Sequence, residues 1–178
     1  MTKEIDVTKY RLAAVLQILA VLGLAVLLVL AVLLEKEKLY LFIYVTGALA
    51  AVFLNRYLHE AAHYAVGRLQ GFKCEMKFGI KISECRVYGT QTYKQVLALS
   101  LAPLYVYIPV TALVLLSGAT ISLKLVYSAI LSLFIGGMAG DFIYVAEALK
   151  NKGGRFTDNG HVLFIEQRGA ADNENISS

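Results

Sequence analysis

Residues 39–63 read LYLFIYVTGALAAVFLNRYLHEAAH, a long apolar run that ends in a cluster of polar side chains. The run has no charged residue before Arg56, and about 20 apolar residues are enough to cross a hydrocarbon core of about 30 Å. Its last part carries two histidines four positions apart, His59 and His63. The stretch therefore predicts a membrane helix over about 39–69 whose last turns hold ionisable groups.

The composition indicates that lipid is the main solvent of the chain. Hydrophobic residues make up 58% of the 178 residues and charged residues 17%, whereas soluble domains are about 45–50% apolar and about 25% charged. The excess of apolar residues excludes a disordered chain and a disulfide-stapled secreted module. The net charge of +4 is interpreted through membrane orientation rather than nucleic-acid binding. We therefore expect an integral membrane protein with lipid, and no nucleic acid, among its partners.

Four apolar segments predict a mainly α membrane protein, a single polytopic domain over 1–178 with four transmembrane helices. The spans are predicted at about 12–34, 39–69, 96–116 and 123–149. Four spans place both termini and the loop between the second and third spans on one side. That side carries most lysines and arginines, whereas the opposite side holds only Lys36, Lys38 and Lys124. Because cytoplasmic loops are enriched in positive charge, the termini and this loop are predicted to be cytoplasmic.

Two stretches outside the spans have their own patterns. Within about 71–93, Phe78, Ile80 and Ile82 alternate with polar residues or glycine, which is typical of strands and predicts a small β-hairpin at the membrane surface. An exposed strand edge can hold an extended peptide by β-addition; a simple connector that covers a site is the alternative. Residues 151–178 are polar apart from one short apolar run and are predicted to form a polar tail.

The residues His59-Glu60-Ala61-Ala62-His63 match the pattern H-E-x-x-H. Residues four apart lie on one face of a helix, so the two imidazoles can bind one zinc ion. Zinc lowers the pKa of a bound water toward about 7, and Glu60 is the candidate general base that takes its proton. Two unrelated histidines are the alternative, but the chain has only three histidines, and ionisable groups in membrane helices are usually functional.

Asp141 is predicted to be the third zinc ligand because of its depth in the membrane. At about 1.5 Å per residue, His59 and His63 lie about 30–36 Å along the second span, and Asp141 lies about 27 Å along the fourth. Both spans enter from the same side, so the three side chains reach a similar height near the cytoplasmic face. The glycines before Asp141 would let the fourth helix approach the second. A helix–helix hydrogen bond or a pair with Arg56 is the alternative role for this carboxylate.

Asn55 and Arg56 are candidate substrate-binding residues just before the motif. Arg56 can stabilise a substrate carbonyl, although an ion pair with Glu60 or with the fourth span is the simpler interpretation. Asn55 can donate to a developing oxyanion, with an interhelical hydrogen bond as an equal alternative. Cys74 and Cys85 form no C-x-x-C pattern and are predicted to be hairpin side chains rather than ligands.

The order of these motifs resembles the zincin-type integral membrane metallopeptidases, an uncharacterised family. The resemblance covers about residues 50–168 and rests on the H-E-x-x-H motif with Gly71-Phe72, Lys77-Phe78-Gly79, Ala102-Pro103 and Gly140-Asp141. That family is similar in layout to site-2 intramembrane proteases. The resemblance implies a helical membrane core with a small β element, zinc on His59, His63 and Asp141, and Glu60 as catalytic base. The longer Asn-x-x-Pro motif of site-2 proteases is absent around Asp141.

These observations favour a zinc-dependent metalloendopeptidase that hydrolyses peptide bonds of a peptide or membrane protein in or next to the membrane. An alternative is a zinc-site membrane protein without peptidase activity, acting as a binding or scaffolding partner. It is motivated by the small size, since we expect no PDZ-like domain within 178 residues. A metal transporter is less favoured because it needs ionisable groups along a pore, and the first and third predicted spans have none.

Overall fold

The computed structural model describes residues 2–6, 9–79, 84–159 and 162–167, and it is mainly helical with two small sheets. The helices are α1 Arg11–Leu34, α2 Lys38–Leu69, α3 Tyr93–Ser100, α4 Leu104–Leu116, α5 Ile121–Gly137 and α6 Ala139–Lys150. The strands are β1 Thr2–Asp6, β2 Lys73–Lys77, β3 Glu84–Tyr88, β4 Gln91–Thr92, β5 Arg155–Asp158 and β6 Val162–Glu166.

Two helical stretches are long and apolar enough to cross a membrane, Arg11–Leu34 and Tyr93–Leu116. The pair α5 and α6 is a third candidate if it forms a single span, bent by 47°. Large apolar side chains of α1, such as Leu12, Leu19 and Leu33, are exposed, as in a helix surrounded by lipid. The described residues thus hold two or three candidate spans, which is compatible with a membrane location.

The third and fourth spans predicted from the sequence are each interrupted. The third predicted span, about 96–116, falls within the candidate span Tyr93–Leu116, in which a turn that contains Pro103 separates α3 from α4. Proline has no N–H and its ring clashes with the carbonyl four residues earlier, so the helix stops there, whereas α4 continues through Pro109. In place of one helix over 123–149, the chain bends at Met138 between α5 and α6.

The predicted hairpin after α2 is present. Strands β2 and β3 pair antiparallel, with Lys73 opposite Tyr88 and Lys77 opposite Glu84; Ile80 and Ile82, which contributed to the prediction, lie outside the described residues. The hairpin packs closely on α2, since a Cβ on Gly67 would lie 2.6 Å from the Cys74 sulfur. Its position at the end of α2 brings β3 next to the H-E-x-x-H motif.

The prediction of a polar tail over 151–178 missed two strands. A four-stranded antiparallel sheet has the order β1-β6-β5-β4, so the N-terminal strand pairs with the strand that follows α6 and β5. The alternating residues Phe156, Leu163 and Ile165 are fully buried and pack with Ile5 against α3 and α6. Residues 168–178 of the predicted tail lie outside the described residues.

Helices α1 and α5 pack through small side chains. A Cβ on Gly136 would overlap the Cβ of Ala20, and the Ser132 hydroxyl donates a hydrogen bond of 3.0 Å to the Ala20 carbonyl. The sequence predicts that the glycines before Asp141 let the fourth span pack closely on the second, whereas Gly136 lies against α1. Close approach of this kind is typical of membrane helices, where packing rather than the hydrophobic effect holds helices together.

Replacement of Gly136 by alanine is expected to destabilise the protein because the new methyl group must displace α1 from α5. Overpacking of this kind costs about 1–3 kcal/mol, which a thermal unfolding measurement in detergent detects as a lower Tm. Gly137→Ala is the matched control, since a Cβ at that position meets no atom within 4 Å. An equal Tm for both variants would contradict the proposed contact.

Candidate metal centre

His59, His63 and Asp141 converge on one point in the structure. The His63 Nε2 lies 3.1 Å from the His59 Nε2, and the Asp141 oxygens lie 3.2 Å from the His59 Nε2 and 3.5 Å from the His63 Nε2. The two histidines come from consecutive turns of α2, and Asp141 comes from the first turn of α6. The structure therefore brings together the three side chains that the depth argument placed at one height.

These distances join four atoms, because Asp141 turns its Oδ2 toward His59 and its Oδ1 toward His63. Bonds of about 2.0–2.1 Å to a tetrahedral ion place its ligands about 3.3–3.4 Å apart. The 3.1 Å between the two Nε2 atoms lies near that value, and one ligand atom from each of the three residues lies within 4.8 Å of the others. Two imidazoles and a carboxylate are donors of the kinds that zinc accepts, and this group of three could hold a metal ion.

A backbone carbonyl orients the ring of His63. Its Nδ1 lies 2.9 Å from the Leu99 oxygen, and because a carbonyl only accepts, the proton is on Nδ1. In the neutral ring the lone pair is then on Nε2, the atom that faces His59 and Asp141, as a metal ligand requires. The Leu99 oxygen also accepts a hydrogen bond of 2.9 Å from the Ala102 N–H, while Pro103, four positions after Leu99, has no N–H to donate.

The bend at Met138 positions Asp141. Helix α6 begins one residue after the bend, so Asp141 lies in the first turn of this helix. A helix N-terminus has unpaired N–H groups and a partial positive charge, which stabilise a carboxylate there. An unbroken helix over the whole predicted fourth span would lack this terminus.

Glu60 faces the hairpin as well as the metal-binding group. Its Oε2 accepts a hydrogen bond of 2.7 Å from the backbone N–H of Cys85 in β3. The other carboxylate oxygen is not held by this bond, so the strand fixes the orientation of the side chain and leaves an oxygen for proton transfer. The sequence predicted a base at this position but gave no indication of the strand amide.

A cavity of about 190 Å³ contains the site. Its wall includes His59, Glu60, His63 and Asp141, together with residues of α3, β3, β4, β5 and β6. Two further carboxylates, Glu84 and Asp158, also line it, whereas no lysine or arginine does so among the described residues. An excess of carboxylates in a small cavity favours a bound cation.

The cavity wall, in the described part of the chain, includes neither Asn55 nor Arg56. The Tyr107 hydroxyl donates a hydrogen bond of 2.6 Å to the Asn55 Oδ1, so Asn55 forms the interhelical contact that was the alternative to substrate binding. Arg56 is exposed on α2. The structure thus does not bring these two candidate substrate-binding residues to the site.

The two cysteines lie on the hairpin, as predicted. Burial raises the pKa of Cys85 to about 12, with smaller contributions from Cys74, Glu60 and Asp158. Burial also raises the pKa of Cys74. Burial therefore disfavours the thiolate form of both side chains, which is the form that acts as a nucleophile.

Comparison of the chain with models of known protein families, with curated proteins and with solved structures finds no match.

Proposed function

We propose that this protein is a zinc-dependent, membrane-embedded metallopeptidase that hydrolyses peptide bonds in or next to the membrane. One observation carries the proposal: ligand atoms of His59, His63 and Asp141 lie within 4.8 Å of one another, in the cavity that Glu60 also lines. The sequence resemblance to zincin-type membrane metallopeptidases supports the same proposed function.

The residues of the site have separate roles in this proposal. His59, His63 and Asp141 would hold zinc, which when bound polarises the substrate carbonyl and acidifies a water molecule. Glu60 accepts the proton of the attacking water and returns it to the amine nitrogen when the C–N bond breaks. The Cys85 N–H keeps the carboxylate in place during both transfers.

The strand β3 offers a template for an extended substrate. Among the described strands it pairs only with β2, and Glu84, Cys85 and Val87 on it line the cavity. A polypeptide that enters beside β3 can be aligned by main-chain hydrogen bonds. Such alignment brings successive peptide groups past Glu60 without a requirement for particular side chains.

We further propose a multi-pass topology with four spans, in which α2 is the second. Strand β1, before the first helix, pairs with β6, after the last, which supports a common side for the two ends of the described chain. The positive-inside rule assigns that side, and with it the metal site, to the cytoplasm.

A second candidate function is a zinc-site membrane protein that binds or scaffolds a partner without cleaving it. The size of the cavity favours this alternative, because about 190 Å³ is below the about 300–1,000 Å³ of most ligand sites. A peptidase must therefore widen the cavity when substrate binds, whereas a scaffold need not.

Crosslinking in the native membrane distinguishes the two candidates. The Glu60→Gln variant is expected to capture polypeptides that accumulate uncleaved, and the same polypeptides are expected in shortened form in membranes that contain the wild type. His59→Ala is the control that loses the metal site. Captured polypeptides of equal length in both membranes would contradict the peptidase and favour the scaffold.

A further inference from the structure

Gln91 is a buried polar residue that the metal centre does not use. It is the first residue of β4 and only 3% exposed. Its side-chain Nε2 is buried and has no hydrogen-bond partner among the residues that the structure describes. Gln91 also lines the cavity that contains His59, Glu60 and Asp141. A buried donor without a partner therefore lies at the wall of the candidate site.

The main chain explains how Gln91 reaches this wall. Gly89 has φ +121°, a conformation that residues with a side chain rarely adopt, and it turns the chain from β3 of the hairpin into β4 of the other sheet. There Gln91 pairs with the fully buried Phe156 of β5. The turn places Gln91 and Cys85 on the wall of one cavity, although they belong to different sheets.

An unpaired buried donor is costly, and this cost indicates a missing partner. Most buried polar side-chain atoms in proteins have a hydrogen bond. A buried atom without one loses its hydrogen bonds to water and gains no bond within the protein in exchange. An amide N–H is satisfied by an acceptor such as a carbonyl oxygen. The terminal torsion of glutamine has a broad energy minimum, so the amide turns toward an acceptor in the cavity at little cost.

We infer that Gln91 is a substrate-binding residue that donates a hydrogen bond to a main-chain carbonyl of the bound polypeptide. The inference rests on the proposed peptidase function and adds a binding group on the wall formed by β4. A bound polypeptide would then contact β3 on one side and accept a hydrogen bond from the Gln91 side chain of β4 on another side. A neutral amide suits this role, because a lysine or arginine here would pair with the carboxylates of the cavity instead.

Peptide binding to a variant that cannot turn over provides the test. Fluorescein-labelled, end-capped hexapeptides are titrated one at a time with the zinc-loaded Glu60→Gln protein. The anisotropy of each labelled peptide gives its Kd. Adding Gln91→Leu is expected to raise the Kd about tenfold, the loss of one hydrogen bond. Gln70→Leu is the matched control with an unchanged Kd, since the Gln70 Oε1 is also buried and unpartnered but Gln70 is not part of the cavity wall.

Thermal unfolding separates binding from a structural role. Removal of an unpaired buried donor is expected to leave the Tm of Gln91→Leu unchanged or higher, and Gln91→Met, which keeps the length of the side chain, is a second variant. A Kd for both variants equal to that of the parent overturns the inference, as does a parent that binds no peptide. Cleavage that persists in Glu60→Gln overturns the proposed peptidase mechanism instead, so the two failures are distinguishable.

Discussion

Replacement of Glu60 by glutamine is expected to slow peptide cleavage by about 10²–10⁴-fold, the usual contribution of a general base. The amide has no basic oxygen to take a proton from water. Its Oε1 still accepts the hydrogen bond from the Cys85 N–H, so the position of the side chain and of β3 is kept. The His59, His63 and Asp141 group is untouched, and the purified variant is therefore expected to carry about one zinc per chain.

The measurement combines cleavage of membrane polypeptides with metal analysis of the same preparation. Glu84→Gln is the matched control, because Glu84 lines the same cavity but lies 2.8 Å from Arg86 in an ion pair and has no role in the proposed proton transfer. It is expected to keep its activity within a few-fold. Full activity of Glu60→Gln would contradict the mechanism, whatever its zinc content.

Asp141→Asn is expected to lose zinc. The substitution keeps the size of the side chain and removes the negative charge that balances the ion beside two neutral imidazoles. Changes in the outer shell of metal sites already weaken affinity by about 10–100-fold, and loss of a charged ligand is expected to exceed that range. Zinc content after dialysis against a chelator, followed by competition with a chelating dye, measures the effect.

Asp158→Asn is the control for this prediction, since Asp158 is a carboxylate of the same cavity outside the group of three. It is expected to retain about one zinc per chain. If Asp141→Asn bound zinc as tightly as the parent, the carboxylate would be a partner of the histidines and not a ligand. The proposed metal centre would then lack its third residue.

The sequence predicted the helical parts of the fold that depend on long apolar runs. The ends of α1 and α2 lie within one residue of the predicted ones, because charged clusters and Gly71 bound these runs. The sequence placed Pro103 inside the third span, where the structure has a turn, and gave no sign of the break at Met138. Periodicity does not distinguish a kink that neighbours tolerate from a break that creates a new helix terminus.

The candidate ligands were found from spacing and depth, whereas their supports were not. The Leu99 carbonyl beside His63 is a backbone group, and its only sequence signal is Pro103 four positions later. The Cys85 N–H beside Glu60 depends on how the hairpin folds onto α2. The strand β1 was missed because its partner β6 lies far along the chain, and short strands paired over such a distance leave little local signal.

The pairing of Thr2 with Glu166 has a consequence for the timing of biosynthesis. Ribosomes add about 5–20 residues per second, so β6 is translated about 8–32 s after β1. Until then the wall that includes Asp158 and Leu163 is missing, although the H-E-x-x-H helix has already emerged. The cavity wall that contains Leu163 can therefore form only after β6 has been translated.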